Sequence, residues 1–176
     1  IRTSGVSRVA VSLDGATAEV HNKLRKMPGS FEKAIEGINC IRGEGIPYQI
    51  NITLTRHNFH QLDEVYELGL SLGASALHIF MLVPVGCGQL LKEEDMLSSE
   101  QYEEILKHIC RLDEVGKLSV KVTCGPHYQR VMRQEGLYQQ RNSENPVDSL
   151  SGHRAMSKGC LAGLGVLFVG HQGDVF

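Results

Sequence analysis

Ser12-Leu13-Asp14-Gly15, followed by Ala16 to Arg25, brings a hydroxyl, a carboxylate and a guanidinium close to the end of one apolar segment. An arginine presents a planar fork of donors that matches a carboxylate, and a serine hydroxyl donates or accepts beside it. Gathered at a strand end, these groups suit a zwitterionic amino acid or a ribose. The same residues also fit a plain Asp14-Gly15 turn with Arg25 in solvent, because Asp-Gly is a common turn pair.

The thiols and imidazoles are less directed. Five cysteines stand at positions 40, 87, 110, 124 and 160. An odd number without short paired spacing argues against a disulfide framework and against a self-contained zinc ribbon, and fits a reducing compartment, the cytoplasm. Cys40 and Cys110 fall near apolar helix positions and read as core residues. His57, His60 and His78 form no metal-binding spacing that also suits one strand-end face, so structural or solvated roles are expected. Glu93-Glu94-Asp95 and Glu103-Glu104 read as a solvated face.

These groups need a scaffold, and the chain alternates short apolar strands with amphipathic helices about every 35–40 residues, as in a parallel sheet. Residues 6–13 (VSRVAVSL) read as a first strand buried on both faces. Ser30 then caps a helix with Phe31, Ala34, Ile35, Ile38 and Ile41 on one face, stopped by Gly43 and Gly45. A second strand over 48–55 leads to a helix near Asn58, where Asn58 and Gln61 have capping-box spacing and Gly73 is the stop. A third strand over 77–83 is broken by Pro84. After the Gly- and Cys-containing loop, Ser98 and Gln101 cap a helix whose stripe is Tyr102, Ile105, Leu106, Ile109 and Leu112. Residues 118–124 alternate like a strand, Gly125-Pro126 turns the chain into a short helix over 128–134, and residues 136–158 read as a long loop or linker.

With 176 residues, 41% hydrophobic and 22% charged, the composition is that of a globular protein. Eighteen basic against 20 acidic residues leave a net charge of -2, with no broad basic field for nucleic acid and no cationic face for a membrane. No apolar run approaches the roughly 20 residues that cross a bilayer. Small-molecule chemistry is the expectation. The chain opens almost directly on a strand and closes on Gly173-Asp174-Val175-Phe176, which reads as the start of another, so both ends look cut.

The stretch VAVSLDGATAEVHNKLRKMPGSFEKAIEGINCIRGEGI resembles the fourth strand and helix of radical S-adenosylmethionine enzymes, in the branch with C-terminal auxiliary iron-sulfur clusters. The resemblance rests on Ser12-x-Asp14-Gly15, then His21-x-x-x-Arg25, then Gly29-Ser30-Phe31. QINITLT resembles the fifth strand, and LHIFMLVPVGCG the sixth with its loop. The resemblance implies an α/β fold, the C-terminal portion of a partial (β/α)6 TIM-like barrel with parallel strands, plus the start of an auxiliary domain. Residues 1–117 would be the second half of the barrel, 118–158 a connecting strand, short helix and linker, and 159–176 the start of the auxiliary domain.

The resemblance further implies that Ser12 and Arg25 contact the methionyl part of S-adenosylmethionine (AdoMet), that Asn51 and Leu82 border its ribose and adenine, and that Asp14 and His21 hold the loop. Cys160 matches an auxiliary-cluster ligand. Cys87 and His127, with Arg130, would approach substrate or a cluster. The Cys-x-x-x-Cys-x-x-Cys loop that holds the catalytic [4Fe-4S] cluster in such enzymes has no counterpart among the five cysteines, so this chain alone cannot build that centre. The loop around Cys87 and the Gly159–Gly163 segment are most similar to the enzymes of siroheme-derived heme synthesis. The implied function is radical oxidation or removal of propionate side chains on a tetrapyrrole, with ferredoxin or flavodoxin as electron donor. Two other readings stand beside it: a peptide-modifying maturase of the same architecture, and a non-catalytic α/β module that binds a ligand at its strand ends.

Overall fold

The computed structural model describes residues 3, 5–84 and 93–137, all within one compact unit spanning residues 1–143. Four strands, β1 (Val9–Ser12), β2 (Tyr48–Leu54), β3 (Ala76–Met81) and β4 (Ser119–Thr123), form one sheet in the order β1-β2-β3-β4. Every neighbouring pair is parallel. Parallel neighbours need a crossover between them. Helices α1 (Ala18–Arg25) and α2 (Ser30–Gly43) lie between β1 and β2, α3 (Leu62–Leu72) between β2 and β3, and α4 (Ser99–Val115) between β3 and β4. Helix α5 (Tyr128–Gln134) follows β4. The α/β parallel architecture expected from the alternation is present.

One sheet face is covered by the helices. Ile50, Ile52 and Leu54 of β2 and Leu77, Ile79 and Met81 of β3 form a core cluster with Ile38, Leu62, Val65, Tyr66, Leu106 and Ile109 from α2, α3 and α4. The helical stripes expected at Phe31, Ala34, Ile35 and Ile41, and at Tyr102 and Leu112, pack against it. Buried phenols tie the layers together: the Tyr48 hydroxyl donates to the Leu72 carbonyl at 2.6 Å, and the Tyr66 hydroxyl accepts from the Leu118 amide at 3.1 Å. Tyr128 donates to Asp113 Oδ2, and burial, with a smaller contribution from Cys110, pushes its phenol far above the ordinary range.

Several local expectations change. The first strand is not buried on both faces: Ala10 and Ser12 are exposed while Val9 and Val11 pack against the core. Ser30 does not cap α2. Gly29 occupies that position in a left-handed conformation, and Asn22 of α1 accepts from both the Ser30 hydroxyl and the Phe31 amide at 2.8 Å. Asn58 makes no side-chain cap at the short 3-10 turn Phe59–Gln61 that precedes α3. The Ser98–Gln101 capping box is complete, with both reciprocal hydrogen bonds formed. Cys110 is buried as expected, whereas Cys40 is exposed.

Candidate functional site

Parallel strands bring all their carboxyl ends to one edge, where open α/β folds bind ligands. Asp14 is the centre of that edge. Its backbone amide donates to His21 Nδ1 at 2.9 Å, its Oδ1 accepts from the Thr53 amide at 2.8 Å, and its Oδ2 pairs with Arg25 Nε at 2.5 Å. Its side chain is 3% exposed, against 42% for that of Arg25. A buried carboxylate is costly unless its acceptor sites are filled by donors. Here both oxygens are used, and the guanidinium is fixed through Nε while its outer part reaches solvent.

The loop is held from the neighbouring strand as well. Asn58, fully buried, donates through Nδ2 to the carbonyls of Asp14 and Thr53, each at 2.8 Å. Its Oδ1 accepts from the Thr55 amide at 2.8 Å and the Thr55 hydroxyl at 3.1 Å. Gln61 reaches across to accept from the Ala16 amide at 3.1 Å. At Gly15 a Cβ atom would fall 2.9 Å from both the His21 nitrogen and Val20 Cγ1, so the tight return of α1 onto the strand end requires glycine there. Asn58, Thr55 and Gln61 are therefore part of the site's framework. The sequence signal for them was their position directly after β2.

His21 is 2% exposed and its ring packs edge-on against Phe31. Burial lowers its pKa; Asp14 opposes the shift, Arg25 adds to it, and Glu32 opposes it. The neutral form is also the one the geometry needs, since Nδ1 accepts the Asp14 amide. A histidine with a depressed folded pKa contributes stability that is complete above its unfolded value of about 6.5 and is lost as pH falls through the folded value. Urea unfolding is thus expected to show lower stability at pH 5 than at pH 7. His21→Asn, which keeps an acceptor near Nδ1 but does not titrate, is expected to flatten that step. An equally steep pH dependence in the variant would exclude His21 as its source.

The second feature lies on the other sheet face, which none of the described helices covers. Ser12 is opposite Asn51, Asn51 opposite His78, and His78 opposite Lys121, so one polar residue from each strand stands in a single lateral row. Gln49 Nε2 donates to Asn51 Oδ1 at 2.9 Å and approaches His78 Nδ1 at 3.3 Å, and His78 Nε2 lies 2.6 Å from the Thr123 hydroxyl. The His78 and Phe80 rings stack at 4.2 Å with a 34° tilt. This network is the clearest element missed in the sequence, where His78 reads as structural or solvated.

The remaining expected residues divide. Leu82 is half-buried just beyond β3. His127 is exposed at the N-terminal end of α5 and meets the Tyr102 ring edge-on at 6.2 Å. Arg130 is paired within the protein: both its Nη groups meet the Glu103 carboxylate, and Nη1 also reaches Gln134 at 2.6 Å. Glu103 is therefore not merely solvated. Nor is Asp95, which pairs with His57 while its carbonyl accepts the Arg56 amide at 2.9 Å. Cys87 and Cys160 lie outside the described residues.

The groups around the end of β1 have the chemistry that the amino-acid end of AdoMet would need, with a fixed, half-exposed guanidinium at the end of α1 able to pair with a carboxylate and an exposed hydroxyl on Ser12. They do not fit an iron-sulfur cluster. Among the described residues no three His, Cys, Asp or Glu side chains gather as a metal site, and Cys40, Cys110 and Cys124 form no disulfide. No helix among them is long and apolar enough to cross a membrane.

No family model matches the chain. It is 42% identical over 176 residues to an "AdoMet-dependent heme synthase" of Methanosarcina barkeri, covering all of this chain and 49% of the relative. A protein of the same description from Nitratidesulfovibrio vulgaris is 38% identical over 175 residues, 99% of this chain and 47% of the relative. An "Fe-coproporphyrin III synthase" of Methanosarcina barkeri is 27% identical over 180 residues, 99% of this chain and 44% of the relative. The chain thus spans about half the length of the curated relatives it matches. Among solved structures, Streptococcus suis SuiB bound to the precursor peptide SuiA superposes with a TM-score of 0.57 at 15% identity, covering 96% of this chain and 36% of that one. The anSMEcpe structure with bound AdoMet and a peptide gives 0.51 at 19% identity over 65% of this chain and 33% of that one. The shared fold is that of the partial TIM-like barrel of radical AdoMet enzymes.

Proposed function

We propose that the chain belongs to the radical S-adenosylmethionine enzymes, and that its parent protein oxidises or removes propionate side chains of a siroheme-derived tetrapyrrole in heme synthesis. The carrying observation is the guanidinium of Arg25 anchored on Asp14, two residues after the exposed Ser12 that ends β1, in a chain 42% identical to an AdoMet-dependent heme synthase. In this reading Arg25 binds the methionyl carboxylate as a charge-assisted contact, and Ser12 hydrogen-bonds beside it. Asp14 and His21 keep the loop in place, while Asn51 and Leu82 border the ribose and adenine. Bound AdoMet, once reduced, supplies the group that abstracts hydrogen from the substrate. The cluster needed for that reduction draws its ligands from outside this chain, with Cys160 a candidate for an auxiliary cluster and Cys87 and His127 for the substrate side. A ferredoxin or flavodoxin in the cytoplasm would supply the electron.

Arg25→Ala in the full-length protein is expected to weaken AdoMet binding about tenfold, the equivalent of about 1.4 kcal/mol, and Ser12→Ala by a smaller factor. Equilibrium binding of labelled AdoMet measures both, and unchanged affinity in the two variants would reject the site. The function itself is tested by reconstituting the full-length protein under anaerobic reduction and following AdoMet cleavage and tetrapyrrole conversion. Cleavage coupled to a peptide instead would favour the maturase reading. A protein that binds AdoMet but never cleaves it would favour the non-catalytic module.

A further inference from the structure

The uncovered face of the sheet has a consistent charge. The residues on this face are Ala10 and Ser12 on β1, Gln49, Asn51 and Thr53 on β2, Ala76, His78 and Phe80 on β3, and Ser119, Lys121 and Thr123 on β4. No carboxylate stands among them. Lys121 is exposed, and no ion pair with it is formed among the described residues. An ammonium with no ion-pair partner among the described residues, on a polar strand face without carboxylates, attracts an anion.

Position adds direction to that charge. The row runs Ser12, Asn51, His78, Lys121, with the residues assigned to AdoMet at one end and Lys121 at the other. At about 4.8 Å between neighbouring strands, Lys121 lies roughly 14 Å from Ser12 measured across the sheet. Asn51, assigned to the ribose, stands one strand in from Ser12, so roughly 10 Å of the row remains between the cofactor's residues and Lys121, room for the edge of a ring system. The ground between them is rigid, because His78 is held on both ring nitrogens by Gln49 and Thr123 and stacked on Phe80.

We propose that Lys121 is a carboxylate anchor of the substrate site, binding a propionate of the tetrapyrrole while His78 and Phe80 form the fixed floor beside it. This rests on the tetrapyrrole reading above. A lysine presents a compact point charge that tolerates several carboxylate orientations, which suits the flexible end of a propionate chain. The anchored side chain holds the ring so that another part of its edge faces the Ser12 end of the row.

The test is an absorption titration of the reconstituted full-length protein with iron coproporphyrin III, and with its methyl ester as the same ring without carboxylates. Lys121→Ala is expected to raise the Kd for the free acid about tenfold. Lys121→Arg, which keeps the charge, is expected to recover most of that loss. The ester is expected to bind weakly and with no dependence on position 121, whereas Lys33→Ala on the exposed side of α2 leaves the free-acid Kd unchanged. Equal free-acid affinity in the unaltered protein and Lys121→Ala overturns the anchor while leaving the tetrapyrrole reading intact. Absence of binding by the unaltered protein overturns both. A loss in Lys121→Ala that applies equally to acid and ester would place the effect in packing and overturn the electrostatic assignment.

Discussion

Asn58→Ala is expected to destabilise the protein by about 3–5 kcal/mol, because several buried backbone groups lose their partners at once and each costs about 1–3 kcal/mol when left unsatisfied. The Asn58 carboxamide is fully buried and uses both ends: Oδ1 accepts the Thr55 amide and hydroxyl, and Nδ2 donates to the Asp14 and Thr53 carbonyls. Alanine supplies none of these, and the space it leaves is too polar to collapse onto apolar atoms. Asn58→Asp separates the two halves of the argument. It retains the acceptor for Thr55 but turns a carboxylate oxygen toward two carbonyls, so it is expected to be nearly as damaging as alanine. Urea unfolding of the full-length protein measures both variants, and a loss below about 1 kcal/mol in each would mean that water replaces the carboxamide and that the two strand ends are not locked through it.

Asn58 also shows what a linear reading sees and what it does not. Asn58 with Gln61 and Ser98 with Gln101 have the same spacing, and only the second pair forms a capping box. The difference is tertiary. Ser98 precedes α4 with its hydroxyl aimed at the Gln101 amide, whereas Asn58 and Gln61 sit where β1 ends beside β2 and are drawn to backbone groups of residues 14–16 and 53–55. In the same way the cap of α2 comes from Asn22, because α1 folds back onto its start. The strands, helix stripes and glycine stops were legible because they follow from period and local conformation. Single-residue roles were less so. The parity that puts His78 and Phe80 on one face is present in the sequence, but the register that sets His78 between Asn51 and Lys121 is not. Arg25 was readable as a carboxylate fork, yet nothing in the spacing showed that its first carboxylate partner is Asp14 of the same motif.

That partnership yields the second large effect. Asp14→Ala is expected to destabilise the protein by about 2–3 kcal/mol, mostly from the unpaired Thr53 amide, since a half-exposed arginine recovers hydration when its partner goes. Asp14→Asn keeps an acceptor for Thr53 but removes the charge and sets an amide group against Arg25 Nε, so its cost in stability is expected to be smaller. Its effect on AdoMet is expected to remain, because the guanidinium loses the bond that fixes its direction. The distinguishing measurement is a double-mutant cycle on AdoMet affinity in the full-length protein. If Asp14 acts by positioning Arg25, then Asp14→Asn weakens binding in the presence of Arg25 and adds almost nothing to Arg25→Ala, giving a coupling near the whole single-mutant effect. Additive losses would show that the carboxylate influences the cofactor by another route. Unchanged affinity in Asp14→Asn would show that the guanidinium reaches its place without the buried charge, and the pair would then be a feature of folding alone.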